Sequence, residues 1–485
     1  MSEQKTAPLD RPTSAALDAW MRGGWAEREL PAGALECAPH TARRRARLGD
    51  SFPGETLVIP TGHAKVRSND TDYEFRPNSE YAYLTGDLDP DSVLLMTPSA
   101  DGHQATVYRR QRLPRSETLE SFENRQHGEF WVGRRRSLEE TAAQIGIPCR
   151  DLAELPAALR AAAAAGGLRV MRGVDAEVDE ILAAERPQAD AEADAALGTA
   201  LGEMRLIKDD WELAQIQDAV DATVRGFVDV VRRLPLAVET SERMVEGLFS
   251  TRARVDGNGL GYSVIAASGN HATTLHWTRN DGEVKPGELL LLDAGVENRW
   301  LYSADVTRTI PVSGRFTEAQ RRVYELVWRA HQAGLEAVRP GARFLAYHEA
   351  ADAVLAAGLH RWGLLPVPPE ESLRQDSGLH RRWTLHGAGH MLGLDVHDCV
   401  RAPRESLRDG VLRVGMVLTV EPGLYFQEDD LRVPEELRGI GVRIEDDVVV
   451  TETGCRVLSQ ALPTAPDDVE AWMATLSAGW DSARH

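Results

Sequence analysis

Short apolar runs bounded by turn residues alternate with amphipathic stretches along most of the chain. GETLVIPTG (54–62), AYLTGD (82–87), SVLLMTP (92–98) and QATVYRR (104–110) have the length and punctuation of strands. SLEETAAQIG (137–146) and LAELPAALRAAAAAGG (152–167) predict helices, the second stopped by Gly166–Gly167. Before them, residues 1–40 are polar with weak periodicity and predict an arm carrying one helix near Ala15–Arg28. From Asp209 to Arg233, Trp211, Leu213, Ile216, Val220, Val224 and Phe227 recur at helical spacing. Strands are predicted near 262–267, 289–296, 301–312, 416–427 and 439–451, and helices near 317–337 and 342–358. The Pro-rich, acidic stretch 363–377 reads as a loop. With 485 residues, the chain is too long for one ordinary core. The pattern divides it into the arm (1–40), a three-layer α/β domain (41–203) and an α+β domain (204–485).

Charged groups interrupt the apolar runs of the second domain. Asp293 ends GELLLLDAG, Asp305 sits in LYSADVTRT, His390 in HGAGHMLGLDVHD, Glu421 after MVLTV, and Glu445 in GIGVRIEDDVVVT. A charge in such a segment costs several kcal/mol, on the order of its desolvation, unless it is paired or metal-bound. Taken alone, Asp293 reads more readily as a turn residue after a buried strand. Asp305 is harder to place that way, and a hairpin joining 290–296 to 301–312 would bring the two aspartates together. Along VRIEDDVVV, alternation puts Arg443, Glu445 and Asp447 on one side, so that Arg443 beside Glu445 could neutralise and orient a carboxylate cluster; the dull alternative is a solvated edge strand. His386, His390 and His397 crowd a glycine-rich stretch that cannot be a regular helix, and one of them is a candidate ligand. Four carboxylates and one histidine make a hard donor set, suited to two ions of the manganese or cobalt kind.

The formal net charge of −20 opposes nucleic-acid binding, which needs a basic surface. No stretch is long and apolar enough to span a membrane, and MSEQKTAPLDRP lacks the apolar core of a signal peptide. Cys37, Cys149, Cys399 and Cys455 lack metal-knuckle spacing and read as free thiols. A cytoplasmic protein is the resulting expectation.

LHWTRN, LLDAG followed by YSADVTRTIPVSGRFT, HGAGHMLGLDVHD, VLTVEPGLYF and GIGVRIEDDVVVT, in that order, resemble the aminopeptidase P and prolidase branch of the pita-bread metallopeptidases. MRLIKDDWEL resembles the entry to that family's catalytic domain. YEFRPNSEYAYLTGDLDPDSVLLMTP and EFWVGRR are similar to the creatinase/prolidase-type N-terminal domain of aminopeptidase P in particular. The resemblance implies two Mn2+ ions held by Asp293, Asp305, His390, Glu421 and Glu445. Asp305 and Glu445 would bridge both ions, Asp293 would complete the first site, and His390 and Glu421 the second. It further implies substrate-handling roles for His276, His386 and His397, support of the bridging acid by Arg443, a pairing of Tyr262 with Asp305, and a proton-transfer role for Glu421. The implied activity is removal of the N-terminal residue from peptides with proline second, by a homodimer or homotetramer. A prolidase confined to Xaa-Pro dipeptides is the alternative enzyme. A non-catalytic binding protein or a metal-independent creatinase-like hydrolase would have lost ligands, and all five are present. The segment between Asp293 and Asp305 is one residue longer than the commonest family pattern, and residues 117–130 read as an insertion.

Overall fold

The structure is a computed structural model describing residues 13–26, 30–31, 33–186 and 191–477. It falls into two compact units, residues 1–201 and 202–485.

The first unit is built on a five-stranded mixed sheet in the order Cys149–Asp151, Gly102–Arg109, Ser92–Ser99, Thr56–Pro60, Leu168–Val170. Its middle pairs are antiparallel and its two outer strands run parallel to their neighbours. Val58, Val93 and Leu95 pack against Leu155, Leu159, Val178 and Leu182 of two helices. Leu57 and Ile59 alternate to the opposite face and are also fully buried, so the sheet is covered on both sides. The predicted strand AYLTGD is instead the end of the helix Ser79–Thr85. Asn78 caps its start by accepting from the Tyr81 N–H, and Gly86 closes it in the left-handed conformation. Complete burial of this helix explains why its apolar run looks like a strand. The arm's helix is Ala15–Arg22, shorter than predicted; residues 27 and 28 of the expected span lie outside the described residues.

In the second unit, three strands, Val306–Pro311, Leu289–Ala294 and Ile265–Ser268, form one antiparallel sheet. The expected hairpin is present, with Asp293 opposite Thr307 and Ala294 opposite Val306. Its long connection turns through Asn298, whose side-chain oxygen accepts from the N–H groups of Trp300 and Tyr302, and through Leu301 at φ +70°. Helices Asp210–Arg232, Glu242–Asp256, Glu318–Ala337 and Ala346–Arg361 surround the sheets. Asp209 and Thr317 each start their helix with a reciprocal capping box.

The two predicted strands 416–427 and 439–451 are each broken. Val417–Val420 pairs with Asp446–Val450, and Gly423–Tyr425 pairs with Gly441–Arg443. The breaks fall at Glu421–Pro422 and Ile444–Glu445, at the two glutamates. There the Glu421 N–H bonds to the Ala388 carbonyl and the Glu445 N–H to the Thr307 carbonyl, so neither break leaves its donor unpaired. Residues 363–377, expected to be a loop, include one short helical turn, Pro369–Ser372. All four cysteines are free, and no helix among the described residues is long and apolar enough to cross a membrane.

Candidate functional site

The breaks and the hairpin converge on one cavity of about 480 Å³, lined among others by Tyr262, His276, Asp293, Asp305, His386, His390, His397, Glu421, Arg443 and Glu445. All the residues singled out from the sequence are therefore brought together. Asp293, Asp305, Glu445 and Arg443 are buried, while His276 and His397 are exposed at the mouth.

Tertiary contacts set each orientation. The Tyr262 hydroxyl lies 2.6 Å from Asp293 Oδ1 and 2.5 Å from Asp305 Oδ1. Its single proton can serve only one of them. The second oxygen of Asp293 accepts from Arg443 Nη2 at 2.5 Å, and that of Asp305 faces His390 Nε2 at 3.2 Å. Glu445 Oε2 accepts from the Thr307 hydroxyl at 2.6 Å, and that hydroxyl accepts from Arg443 Nε at 3.1 Å. Arg443 thus makes its ion pair with Asp293, not with the expected Glu445, because the strand breaks between residues 443 and 445 and Thr307 stands between them. The Asp447 carboxylate accepts the Asp305 N–H at 3.0 Å and is fully buried; the solvated edge strand is not what forms here.

His390 is placed by a close approach of the chain at Gly389. A Cβ on Gly389 would lie 2.0 Å from the Thr419 carbonyl oxygen, and its φ is +152°. The close approach lets the Thr419 hydroxyl accept the His390 N–H and donate to Glu421 Oε1. His390 Nδ1 donates to the Met391 carbonyl at 3.0 Å, leaving Nε2 pointed at Asp305 and, at 3.5 Å, Glu421. His386 Nδ1 donates to the Gly387 carbonyl, so its Nε2 accepts from the Tyr425 hydroxyl at 2.7 Å, which in turn accepts from Arg443 Nη1. His397 packs edge-on against His390, with ring centroids 4.3 Å apart.

The electrostatics show an excess of negative charge. Burial, reinforced by Asp305, Glu421 and Asp293, pushes Glu445 well above the usual carboxylate range. Burial also raises Asp293 despite Arg443, and raises Glu421 to about 7 despite His390. Burial lowers His390, but Asp305 and Glu421 outweigh it and hold the ring at about 9. Burial and the nearby Arg443 bring His386 down to about 4, so it is neutral. Four carboxylates around one fixed guanidinium, with an imidazole nitrogen left open, fit divalent cations. Among the described residues, Asp305, His390 and Glu445 offer ligand atoms all within 4.8 Å of one another.

Tyr425, Thr307 and Thr419 were not found from the sequence. A tyrosine in a buried strand needs a partner for its hydroxyl, which is the one signal Tyr425 carried. The threonines carried none, since their partners lie far along the chain.

Residues 214–452 match metallopeptidase family M24, and residues 41–170 match the aminopeptidase P N-terminal domain. The chain is 55% identical to Xaa-Pro aminopeptidase 1 of Streptomyces coelicolor over 458 residues, 94% of this chain and 91% of the relative. It is 33% identical to the Xaa-Pro aminopeptidase of Escherichia coli over 444 residues, covering 89% of this chain and 96% of that one. The structure of zinc-substituted E. coli aminopeptidase P in complex with product superposes with a TM-score of 0.79 at 30% identity, covering 91% of this chain and 99% of the other. With the pita-bread architecture, the two domain matches and full-length relatives in agreement, the chain belongs to the Xaa-Pro aminopeptidase branch of metallopeptidase family M24.

Proposed function

We propose that this protein removes the N-terminal residue from peptides whose second residue is proline, using two divalent ions, manganese in the cell. The observation that carries it is the meeting of four carboxylates and the open Nε2 of His390 in one cavity. Asp293, Asp305, His390, Glu421 and Glu445 would hold the ions. Asp305 would connect the two groups of ligands, since one of its oxygens shares the Tyr262 hydroxyl with Asp293 while the other faces His390. When bound, the ions supply Lewis acidity that lowers the pKa of a water and steadies negative charge on a carbonyl oxygen.

The chain's own groups do the rest. The carboxylate-rich wall receives the substrate's free amine, which restricts cleavage to the first peptide bond. Ile265, Leu275 and Val396 give the cavity apolar surface for the proline ring, with His386 closing it. His276 and His397, at the mouth, donate to the oxygen of the scissile carbonyl as charge develops there. Glu421 accepts a proton from the attacking water and delivers it to the proline nitrogen, which has no hydrogen of its own until cleavage. Arg443 acts through Asp293 and Tyr425, holding one at the ion site and fixing His386 by way of the other.

The four free cysteines support a reducing, cytoplasmic setting. Exposed Trp20, Phe130, Trp131 and Val132 on the first unit support self-association as a dimer or tetramer, which light scattering would measure. The test of function compares Xaa-Pro dipeptides with Xaa-Pro-Xaa tripeptides after chelation, with and without Mn2+. Tripeptides should be cleaved after residue one, only with metal. N-acetylation should nearly stop turnover, and proline-to-alanine replacement should lower kcat/KM by about ten-fold or more. Cleavage confined to dipeptides would establish a prolidase instead.

A further inference from the structure

Three residues of the segment Leu275–Thr278 line the cavity, and the next residue, Arg279, is exposed. Among the described residues, the Arg279 guanidinium has no ion pair and no hydrogen bond. It does have a fixed seat. The guanidinium carbon lies 4.2 Å from the centroid of the Trp277 ring. The same indole stacks on His271 with centroids 3.8 Å apart. Trp277 Nε1 donates at 2.8 Å to Glu242, a fully buried carboxylate that also accepts from His271 Nδ1 and from the N–H groups of Ser268 and Gly282. On the other side of Arg279, the buried Asn280 side chain bonds to the Ala266 N–H and the Val264 carbonyl. The backbone is therefore anchored immediately before and after Arg279.

Stacking uses the flat face of a guanidinium and leaves its N–H edge free. That edge is the one that binds a carboxylate through two parallel hydrogen bonds. A peptide whose amine lies at the carboxylate wall and whose proline lies in the cavity must leave past the mouth, where His276 and Thr278 stand. We propose that Arg279 is a specificity-determining residue that binds a carboxylate on the substrate beyond the proline. This rests on the peptidase reading above. The carboxylate is either the C-terminus of a short peptide or an acidic side chain following proline; both present the same group to the same fork.

Four substrates separate these cases: Ala-Pro-Gly as free acid and as amide, and Ala-Pro-Glu-amide beside Ala-Pro-Gln-amide, each assayed with the Mn2+-loaded enzyme. The wild-type protein should favour the free acid over its amide, or Glu over Gln, by about three- to five-fold in kcat/KM, the range of one exposed ion pair. Whichever ratio departs from one identifies the source of the carboxylate. In Arg279→Gln that ratio should fall to near one, and in Arg279→Lys it should be partly kept. Wild-type ratios of one in both pairs overturn the proposal. So does an Arg279→Gln enzyme that slows all four substrates equally, since that is the mark of a structural role. If none of the four is cleaved, the peptidase reading itself falls, and Arg279's role falls with it.

Discussion

Replacing Arg308 by Met should destabilise the second unit by about 3–5 kcal/mol, the cost of breaking a buried ion pair. The Arg308 side chain is 1% exposed and that of Asp446 is 3% exposed. All five of its N–H donors are used: Nη2 bonds to Asp446 Oδ1 at 2.6 Å and the Leu462 carbonyl, Nη1 to the carbonyls of Thr307 and Glu445, and Nε to that of Pro463. Met fills similar volume but donates to none of them. Each orphaned buried carbonyl would cost about 1–3 kcal/mol taken singly, but these losses overlap as the site relaxes. Asp446 would keep its Ser459 bond and its 3.2 Å approach to His331, which moderates the charge term. The assay is urea unfolding of the metal-depleted full chain, followed by tryptophan fluorescence, so that ion binding does not mask the change. Adding Asp446→Asn to Arg308→Met should recover about 1 kcal/mol or more by removing the stranded charge. A single-variant loss under about 1 kcal/mol, or a double variant no more stable than the single, would refute the reasoning. Because Arg308 grips the Glu445 carbonyl at the strand break, the variant should also bind metal more weakly.

Asp305→Asn or Glu445→Gln should strip tight binding of both ions, whereas Glu421→Gln should lower kcat far more than metal content; elemental analysis beside steady-state kinetics separates the two, and an equally active Glu421→Gln removes that residue from the mechanism. Gly389→Ala, with its Cβ 2.0 Å from the Thr419 oxygen, should cost about 3 kcal/mol or more and depress the melting temperature, and an unchanged melt would show that the close approach is not required. In the first unit, hydrogen bonds to Asp175 and then Asp91 outweigh burial and raise His63 to about 10, while His127 and Arg110 also face Asp91. A raised folded pKa stabilises fully below the ordinary histidine value near 6.5 and loses that contribution as pH rises through about 10. With the His63 side chain 48% exposed, screening limits the effect to about 1 kcal/mol. The stability deficit of His63→Asn should therefore be largest near pH 6 and vanish above pH 10; a deficit that grows with pH would reverse the assignment.

Which residues are candidates for the chemistry was legible in the chain, because a charge inside an apolar run has a desolvation cost that demands a partner. Asp293, Asp305, His390, Glu421 and Glu445 were identified in that way and do meet in one cavity. Helices 209–233 and 317–337 were legible for a local reason: caps and helical spacing lie within the segment itself. Apolar runs without such signals were not. AYLTGD folds as a helix because Asn78 and Gly86 cap it and the surrounding core buries it entirely, while its composition suits either state. The breaks at Glu421 and Glu445 were invisible because the bonds that stabilise them come from Ala388 and Thr307, distant in sequence. The same distance hid Arg443's partner: alternation along one strand pointed to Glu445, whereas the fold brings up Asp293 from 150 residues away. Local pattern determines which groups must be neutralised; only the tertiary structure decides what neutralises them, since hydrogen bonds and ion pairs act over a few ångströms of space whatever their separation along the chain.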